Sequence, residues 1–401
     1  MSPPRLTPAL ARAQADLDSV VELARELVRI PTRGGVDPYD KAIDHLSAWM
    51  NDQGLAPEVL CDATGAPVAV TTRVHGLHPG PTWVLDACLD TAPVGDQAAW
   101  HHSPFSGAIE DGWLWGRGSA DSKVAIAMFC HLATHLRTVP ELMHGDLVLL
   151  FDLDEHTGGF GGAKRFFAGP ETPPDIGGVM IGYPGMDTLV IGGRGVHRMR
   201  LRVHGIAAHS GSSRTAPNAI DKAVEIVQSL NARPLPGPAE GFPPAKATVT
   251  AIDAGQGYSV VPDLCTVNVD IRTTPAFDGT RAADLVTDVV TAVDAAWPTT
   301  PPTLVEAHTR WPPYALAEEA PLRAALTGAA AAHGLDLGTK IAGPSNIGNF
   351  LAGLKIPATA GFGPAYQGLH ATDERVRIDT IPLAQAVYDH AVRTLLGSTP
   401  R

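Results

Sequence analysis

The sequence predicts an α/β chain: a doubly wound, mostly parallel sheet interrupted by an inserted α+β layer. Three observations predict it. Short apolar runs of strand length alternate with helix-period segments up to about residue 190, the pattern of strand–helix–strand units. Near Arg194 the character changes to apolar–polar alternation, as in VHRMRLRVH over 196–204, which is how a half-solvated strand reads. After Pro312 the helices and short strands return.

In chain order, Thr7 followed by Pro8 reads as an N-cap with proline at the first helical position. Leu17, Val20, Val21, Ala24, Leu27 and Val28 then recur at helical spacing up to Pro31. A second helix is expected over 40–53, ended by Gly54. Strands are expected at 67–74, 83–89, 146–153 and 178–182, with a helix at 121–136. In the second stretch, strands at 196–204, 247–252 and 265–271 alternate with helices at 217–230 and 281–295. A helix at 322–333, a strand at 358–362 and a helix at 381–396 close the chain. The simplest organisation is one domain in two pieces, 1–194 and 310–401, interrupted by an insert over 195–309.

Composition narrows the function. The 401 residues carry 42 acidic and 30 basic side chains, a net charge of −12, so the basic footprint of a nucleic-acid binder is missing. No apolar run reaches transmembrane length, and MSPPRLTPALARAQADLDSV makes a poor secretory signal. Cys61, Cys88, Cys130 and Cys265 lie far apart without a CxxC, which points to free thiols in a reducing cytoplasm.

Four segments carry chemistry. Asp86, Cys88 and Asp90 alternate at the carboxyl end of an expected strand, where open α/β sheets place their sites. A solvated strand end is the ordinary alternative. Asp121 stands in WGRGSADSK at a helix start, where capping is its ordinary use. Asp152, Asp154, Glu155 and His156 crowd the end of the next strand, with a proton acceptor beside a possible ligand. His370 lies in the Gly-rich loop GFGPAYQGLHATDE over 361–374. Asp121, His156 and His370 together would form a two-histidine, one-carboxylate set suited to Zn²⁺ or another divalent metal.

The chain resembles the zinc-dependent exopeptidase and amidohydrolase family of succinyl-diaminopimelate desuccinylase, acetylornithine deacetylase, aminoacylase and glutamate carboxypeptidase. The likeness rests on WHHSPF at 100–105, Asp111-Gly112, LWGRGSADSK at 114–123 and DEHTGG at 154–159. AAHSGSSRTAPNAI at 207–220, VNVDIR at 267–272 and GPSN at 343–346 complete it, in the family's order. The resemblance implies a catalytic domain over 1–194 and 310–401, with 195–309 as a lid and dimerisation domain. It implies Asp121 as a metal-bridging ligand, Glu155 as general base and Asp90 as the acid that orients the first ligand. It implies His370 as a late ligand and His209 as a lid histidine that reaches into a dimer partner. Arg272 and Asn346 would bind substrate, Arg272 through a carboxylate.

Three family ligand positions differ here: Cys88 stands for a histidine, His156 for a glutamate and Tyr183 for an acid. One metal position would keep Asp121, His156 and His370. The other would keep Asp121, Cys88 and Tyr183, and neutral tyrosine is a poor ligand. The expectation is one well-held ion, Zn²⁺ first, with Mn²⁺, Co²⁺ or no metal as alternatives. The function expected is a metal-dependent cytoplasmic hydrolase, a homodimer, cleaving the amide of a small N-acyl amino acid or dipeptide-like substrate. A metal-free acid–base enzyme for acyl transfer, cyclisation or isomerisation competes with it, with Cys88 as a possible nucleophile. A relative that only binds has no need of Glu155.

Overall fold

The structure is a computed structural model that describes residues 7–170, 172–359 and 361–398. Its first helix, Pro8–Arg29, begins where Thr7 accepts a hydrogen bond from the Leu10 N–H (3.1 Å). It buries Val20, Val21, Leu23, Ala24, Leu27 and Val28 on one face. Pro31 disfavours helical backbone at the residue before it, and Ile30 is already extended.

A five-stranded sheet runs in the order Glu58–Cys61, Pro67–Val74, His144–Asp152, His78–Cys88, Ile176–Ile181. His144–Asp152, His78–Cys88 and Ile176–Ile181 are parallel, so the centre of the sheet follows the expected strand–helix–strand logic. Glu58–Cys61 and Pro67–Val74 form an antiparallel hairpin, as their short connection requires, and Pro67–Val74 is also antiparallel to His144–Asp152. From Thr82 onward the strand His78–Cys88 is buried on both faces. Leu85 and Ala87 join a core with the helices Pro8–Arg29, Asp40–Asp52, Val124–Arg137, Pro321–Ala332 and Ile381–Leu395. Val84 joins a smaller core with Gly161–Phe167 and Ile347–Gly353 on the other face.

The insert is a four-stranded antiparallel sheet in the order Lys246–Ala254, Leu264–Thr273, Gly195–His204, Leu304–Trp311. Met199, Leu201, Val203, Val267, Val269 and Ile271 face the helices Ala219–Ala232 and Gly279–Ala296 and form a separate core. The alternate residues Arg198, Arg200, Asn268, Asp270 and Arg272 occupy the open face.

Several elements differ from expectation. Leu304–Trp311 is a fourth insert strand whose mostly exposed residues give no burial pattern to read. Thr188–Gly193 and Gly338–Ala342 pair in parallel in a separate small sheet. The strand expected at 358–362 is irregular backbone with isolated bridges at Ala358, Gly361 and Phe362, and Ala360 lies outside the described residues. The helix expected from residue 121 starts at Val124, with an irregular turn over 119–123 before it.

Candidate active site

The strands His78–Cys88 and His144–Asp152 run in register, which sets Cys88 beside Asp152 at their common carboxyl end. This end is closed rather than solvated: Asp86, Cys88 and Asp90 are all buried. The Cys88 N–H donates to Ser122 Oγ (3.1 Å), and its Sγ lies 3.4 Å from Asp121 Oδ1 and 3.2 Å from Ser122 Oγ. Asp121 caps no helix, since its carboxylate turns to His370 instead, with His370 Nε2 at 2.7 Å from Oδ2.

Glu374 holds this turn. It is fully buried, pairs with the buried Arg117, and accepts from the backbone N–H groups of Gly118 (3.0 Å), Ala120 (3.0 Å) and Asp121 (3.2 Å). His370 and Glu374 thus approach the Asp121 turn from one loop.

The loop after His144–Asp152 is held from below by Asp90. Its carboxylate accepts from the N–H groups of Glu155 (3.2 Å) and His156 (2.9 Å). The His156 ring is drawn against the strand ends. Nδ1 lies 3.5 Å from Asp90 Oδ1 and Nε2 lies 3.4 Å from Asp121 Oδ2. Neither nitrogen meets hydrogen-bond geometry, so both are buried without a hydrogen-bond partner. The His370 ring stands 5.2 Å away, centroid to centroid, half-exposed at the rim.

Burial and crowding set the charges. Burial, aided by Asp121, pushes the Cys88 thiol well above its ordinary value, so it is neutral at neutral pH. Burial opposes ionisation of Asp121, but the charge of nearby His156 and the hydrogen bond and charge of His370 hold it below the usual carboxylate range. Burial likewise opposes a charge on His156, but Cys88, Asp121 and Asp90 outweigh it and the imidazolium is favoured. With Cys88 neutral, we assign that effect to the two carboxylates. Burial lifts Glu155 to about 7, with His156 opposing and Asp121 and Asp90 adding to the rise. That value suits a group that takes a proton near neutral pH.

Cys88, Asp121, Glu155, Asn346 and His370 all line one cavity of about 560 Å³, which Tyr183 also lines. Asn346 caps the helix Ile347–Gly353 through the Gly348 N–H (2.9 Å). Arg272 reaches only the wall: it pairs with Asp270 and donates to Ser345 (3.3 Å), a cavity residue. His209 stands apart in the insert, exposed, with Nδ1 accepting from the Gly211 N–H (3.0 Å). The sequence separated Cys88 from His156 into two metal positions, whereas the structure gathers them together. The backbone bond to Asp90 explains it, by pulling His156 down onto the strand that carries Cys88. Sequence reasoning missed Ser122 and Glu374, and it singled out Asp86 without giving it a role. Asp86 is a buried cavity residue whose two carboxylate oxygens have no partner, and its position two before Cys88 on one strand was its only signal.

Among the described residues, two groups of side chains could hold a metal ion. One is Cys88, Asp121 and His156, whose ligand atoms lie within 4.8 Å of one another. Thiolate, carboxylate and imidazole form a chemically sound Zn²⁺ set, and the orphaned imidazole nitrogens of His156 fit a ligand role. The other group, His101, His102 and Glu110, lies outside this cavity.

Residues 84–394 match the sequence pattern of peptidase family M20/M25/M40. The chain belongs to this family. It is 28% identical over 392 residues to a succinyl-diaminopimelate desuccinylase of Stenotrophomonas maltophilia, covering 95% of this chain and 100% of the relative. Its fold resembles an M20 family metallo-carboxypeptidase from Sulfolobus solfataricus, with a TM-score of 0.73 at 16% identity over 96% of this chain and 99% of the other. It also resembles a dinuclear metal binding M20 peptidase from Bacillus subtilis, with a TM-score of 0.70 at 16% identity over 96% and 100%. The protein is an M20 metallo-hydrolase of the amidohydrolase and exopeptidase kind. No helix among the described residues is long and apolar enough to cross a membrane.

Proposed function

We propose that this M20 enzyme hydrolyses the amide bond of a small N-acyl amino acid or dipeptide-like substrate and holds one zinc ion tightly. Asp121, His156 and Cys88 would hold the ion, with His370 joining from the rim. The observation that carries this reading is the convergence of Cys88 and Asp121 on the unpartnered imidazole of His156, with Glu155 lining the same cavity. A zinc ion in such a set acidifies a bound water and polarises a carbonyl.

The chain's own residues do the rest. Glu155, lifted to about 7, takes a proton from the attacking water and returns it to the leaving amine. Asp90 fixes the Glu155–His156 backbone, so acceptor and ligand keep their spacing. Asn346 and Arg272 meet a substrate carboxylate at the cavity wall, which the Arg272–Ser345 bond supports.

Residues 195–309 serve as a lid domain, and His209 completes a neighbouring site in a homodimer. Exposed Ile220, Val224, Ile252, Tyr258 and Val260 on the insert support a second copy as its partner. Four free cysteines support a reducing, cytoplasmic setting.

Elemental analysis of protein purified without added metal, paired with Glu155→Gln, tests the reading. We expect tightly held zinc that Asp121→Ala loses, and turnover lowered about 10²–10⁴-fold by Glu155→Gln without loss of fold. Two equivalents that both vanish with Asp121→Ala would overturn the single-ion reading. Full turnover in metal-free protein would favour acid–base chemistry without metal.

A further inference from the structure

WHHSPF sits in a bend rather than a strand, and that changes where its histidines point. Adjacent residues on a strand face opposite ways. Here the His101 and His102 rings come together, 4.6 Å between centroids and 75° apart in plane. Both turn to one carboxylate oxygen. His102 Nε2 lies 2.9 Å from Glu110 Oε2, and His101 Nε2 lies 3.4 Å from the same atom.

The scaffold under this group is stiff. Glu110 ends the strand Ile109–Glu110, which pairs with Trp113–Trp115 across the turn Asp111-Gly112. Both turn residues have positive φ, 51° and 77°, the geometry of a tight two-residue hairpin. Trp113–Trp115 is paired in turn with Arg375–Arg377. The Trp115 ring packs against both imidazoles, at 5.5 Å and 5.1 Å. The His101 N–H donates to Asp373 Oδ1 (2.7 Å), which fixes the backbone that carries the pair.

We propose that His101, His102 and Glu110 form a second, surface site for a borderline transition-metal cation, Zn²⁺, separate from the cavity. Two imidazoles and one carboxylate are a standard set for such ions and leave open positions for water. Zn–N and Zn–O bonds of about 2.0–2.2 Å put neighbouring ligand atoms about 3.3–3.5 Å apart in a tetrahedron. The His101–Glu110 separation of 3.4 Å already fits, the His102–Glu110 separation of 2.9 Å needs a small outward shift, and all three ligand atoms lie within 4.8 Å of one another. Two of the three side chains are half-exposed or more, so an ion reaches the site from solvent without passing through the cavity. Trp115 limits the freedom of both rings, which lowers the entropy lost on binding.

Zinc titration of the metal-stripped full chain, followed calorimetrically and by elemental analysis after dialysis, tests the site. Three proteins are compared: the unaltered chain, the His101→Ala/His102→Ala double variant and His156→Ala. We expect the double variant to bind one equivalent fewer, or to bind it at least about tenfold more weakly, with turnover and fold unchanged. We expect His156→Ala to keep that equivalent. The two sites fail separately. Zinc binding unchanged in the double variant means an exposed histidine–glutamate ion pair only, and overturns this proposal while leaving the cavity site standing. Zinc lost from the double variant but fully retained in His156→Ala leaves the surface site standing and removes the cavity site.

Discussion

Removing the Glu374 carboxylate is expected to do more damage than its distance from the reacting atoms suggests. Glu374 and Arg117 are both essentially inaccessible, and Glu374 also accepts three backbone N–H groups from the turn that carries Asp121. Burial outweighs Arg117 and those donors and lifts the Glu374 carboxyl above its ordinary value, so the intact pair is no large net source of stability. Breaking it is another matter. Glu374→Ala leaves a buried guanidinium without its anion, at a cost of about 3–5 kcal/mol, and orphans the three donors. Arg117 keeps the carbonyls of Pro93 (2.9 Å) and Ala371 (3.2 Å), which argues for the lower half of that range, about 3–4 kcal/mol. Glu374→Gln keeps the oxygen that accepts the three N–H groups but turns an amide NH2 toward the unpaired Arg117, so about 3 kcal/mol is expected, no more than for Glu374→Ala. Denaturant melts of the three proteins give these values directly. Turnover measured well below each melting transition should also fall, because a shift of about 1 Å in Asp121 can cost about 10²-fold. A Glu374→Ala protein with unchanged midpoint and turnover would refute the claim that Glu374 sets the Asp121 turn.

Three further outcomes are expected. His156→Ala should abolish tight metal binding in the cavity, and Cys88→Ser should weaken it, read as bound metal after dialysis; unaltered content in both would place the ion elsewhere. In the insert, the fully buried Lys222 meets Asp294 at 2.7 Å, and Asp294→Asn should cost about 3 kcal/mol at neutral pH. Burial opposes the Asp294 charge, but Lys222 and Thr303 hold its pKa below 3.8, so this stability is present above that value and lost as pH falls through the folded value. The gap between the two proteins' melts should therefore narrow in acid. Finally, light scattering should give a dimer at micromolar concentration, and His209→Ala should lower turnover without dissociating it; an active monomer would refute the role assigned to His209.

The two sheets were legible because burial leaves a period in the sequence. Val84 and Leu85 face opposite cores within one apolar run, and Arg198 and Met199 alternate open face with core. Leu304–Trp311 left no such trace, since most of its residues are exposed on both faces. In the site, Asp121, Glu155 and His370 were legible from motif order. Their convergence was not, because the contacts span 249 residues in the case of His370 and Asp121. Glu374 was hidden for a different reason: an acidic residue at a loop end reads as solvated, and only the fold reveals the donors aimed at it. The pairing of Cys88 with His156 was also hidden, because it depends on backbone bonds to Asp90 rather than on side-chain type.

Charge supports the single-ion reading proposed for this site. Two divalent ions bring four positive charges, which carboxylates must balance in a buried site. Here Asp121 is the side chain in the cluster that burial fails to neutralise. Cys88 is kept as a thiol, and Tyr183 is pushed up by burial, Asp121 and Glu155, so neither offers a ready anion. Glu155, lifted to about 7, suits the proton-carrying role proposed for it. His156 favours a positive charge of its own in the absence of an ion. A single bound ion would resolve this arrangement: His156 and Cys88 would hold it without their protons, and Asp121 would balance its charge. A second ion would meet Asp86, whose carboxyl burial pushes well above its ordinary value, or Glu155, whose ligation would remove the base.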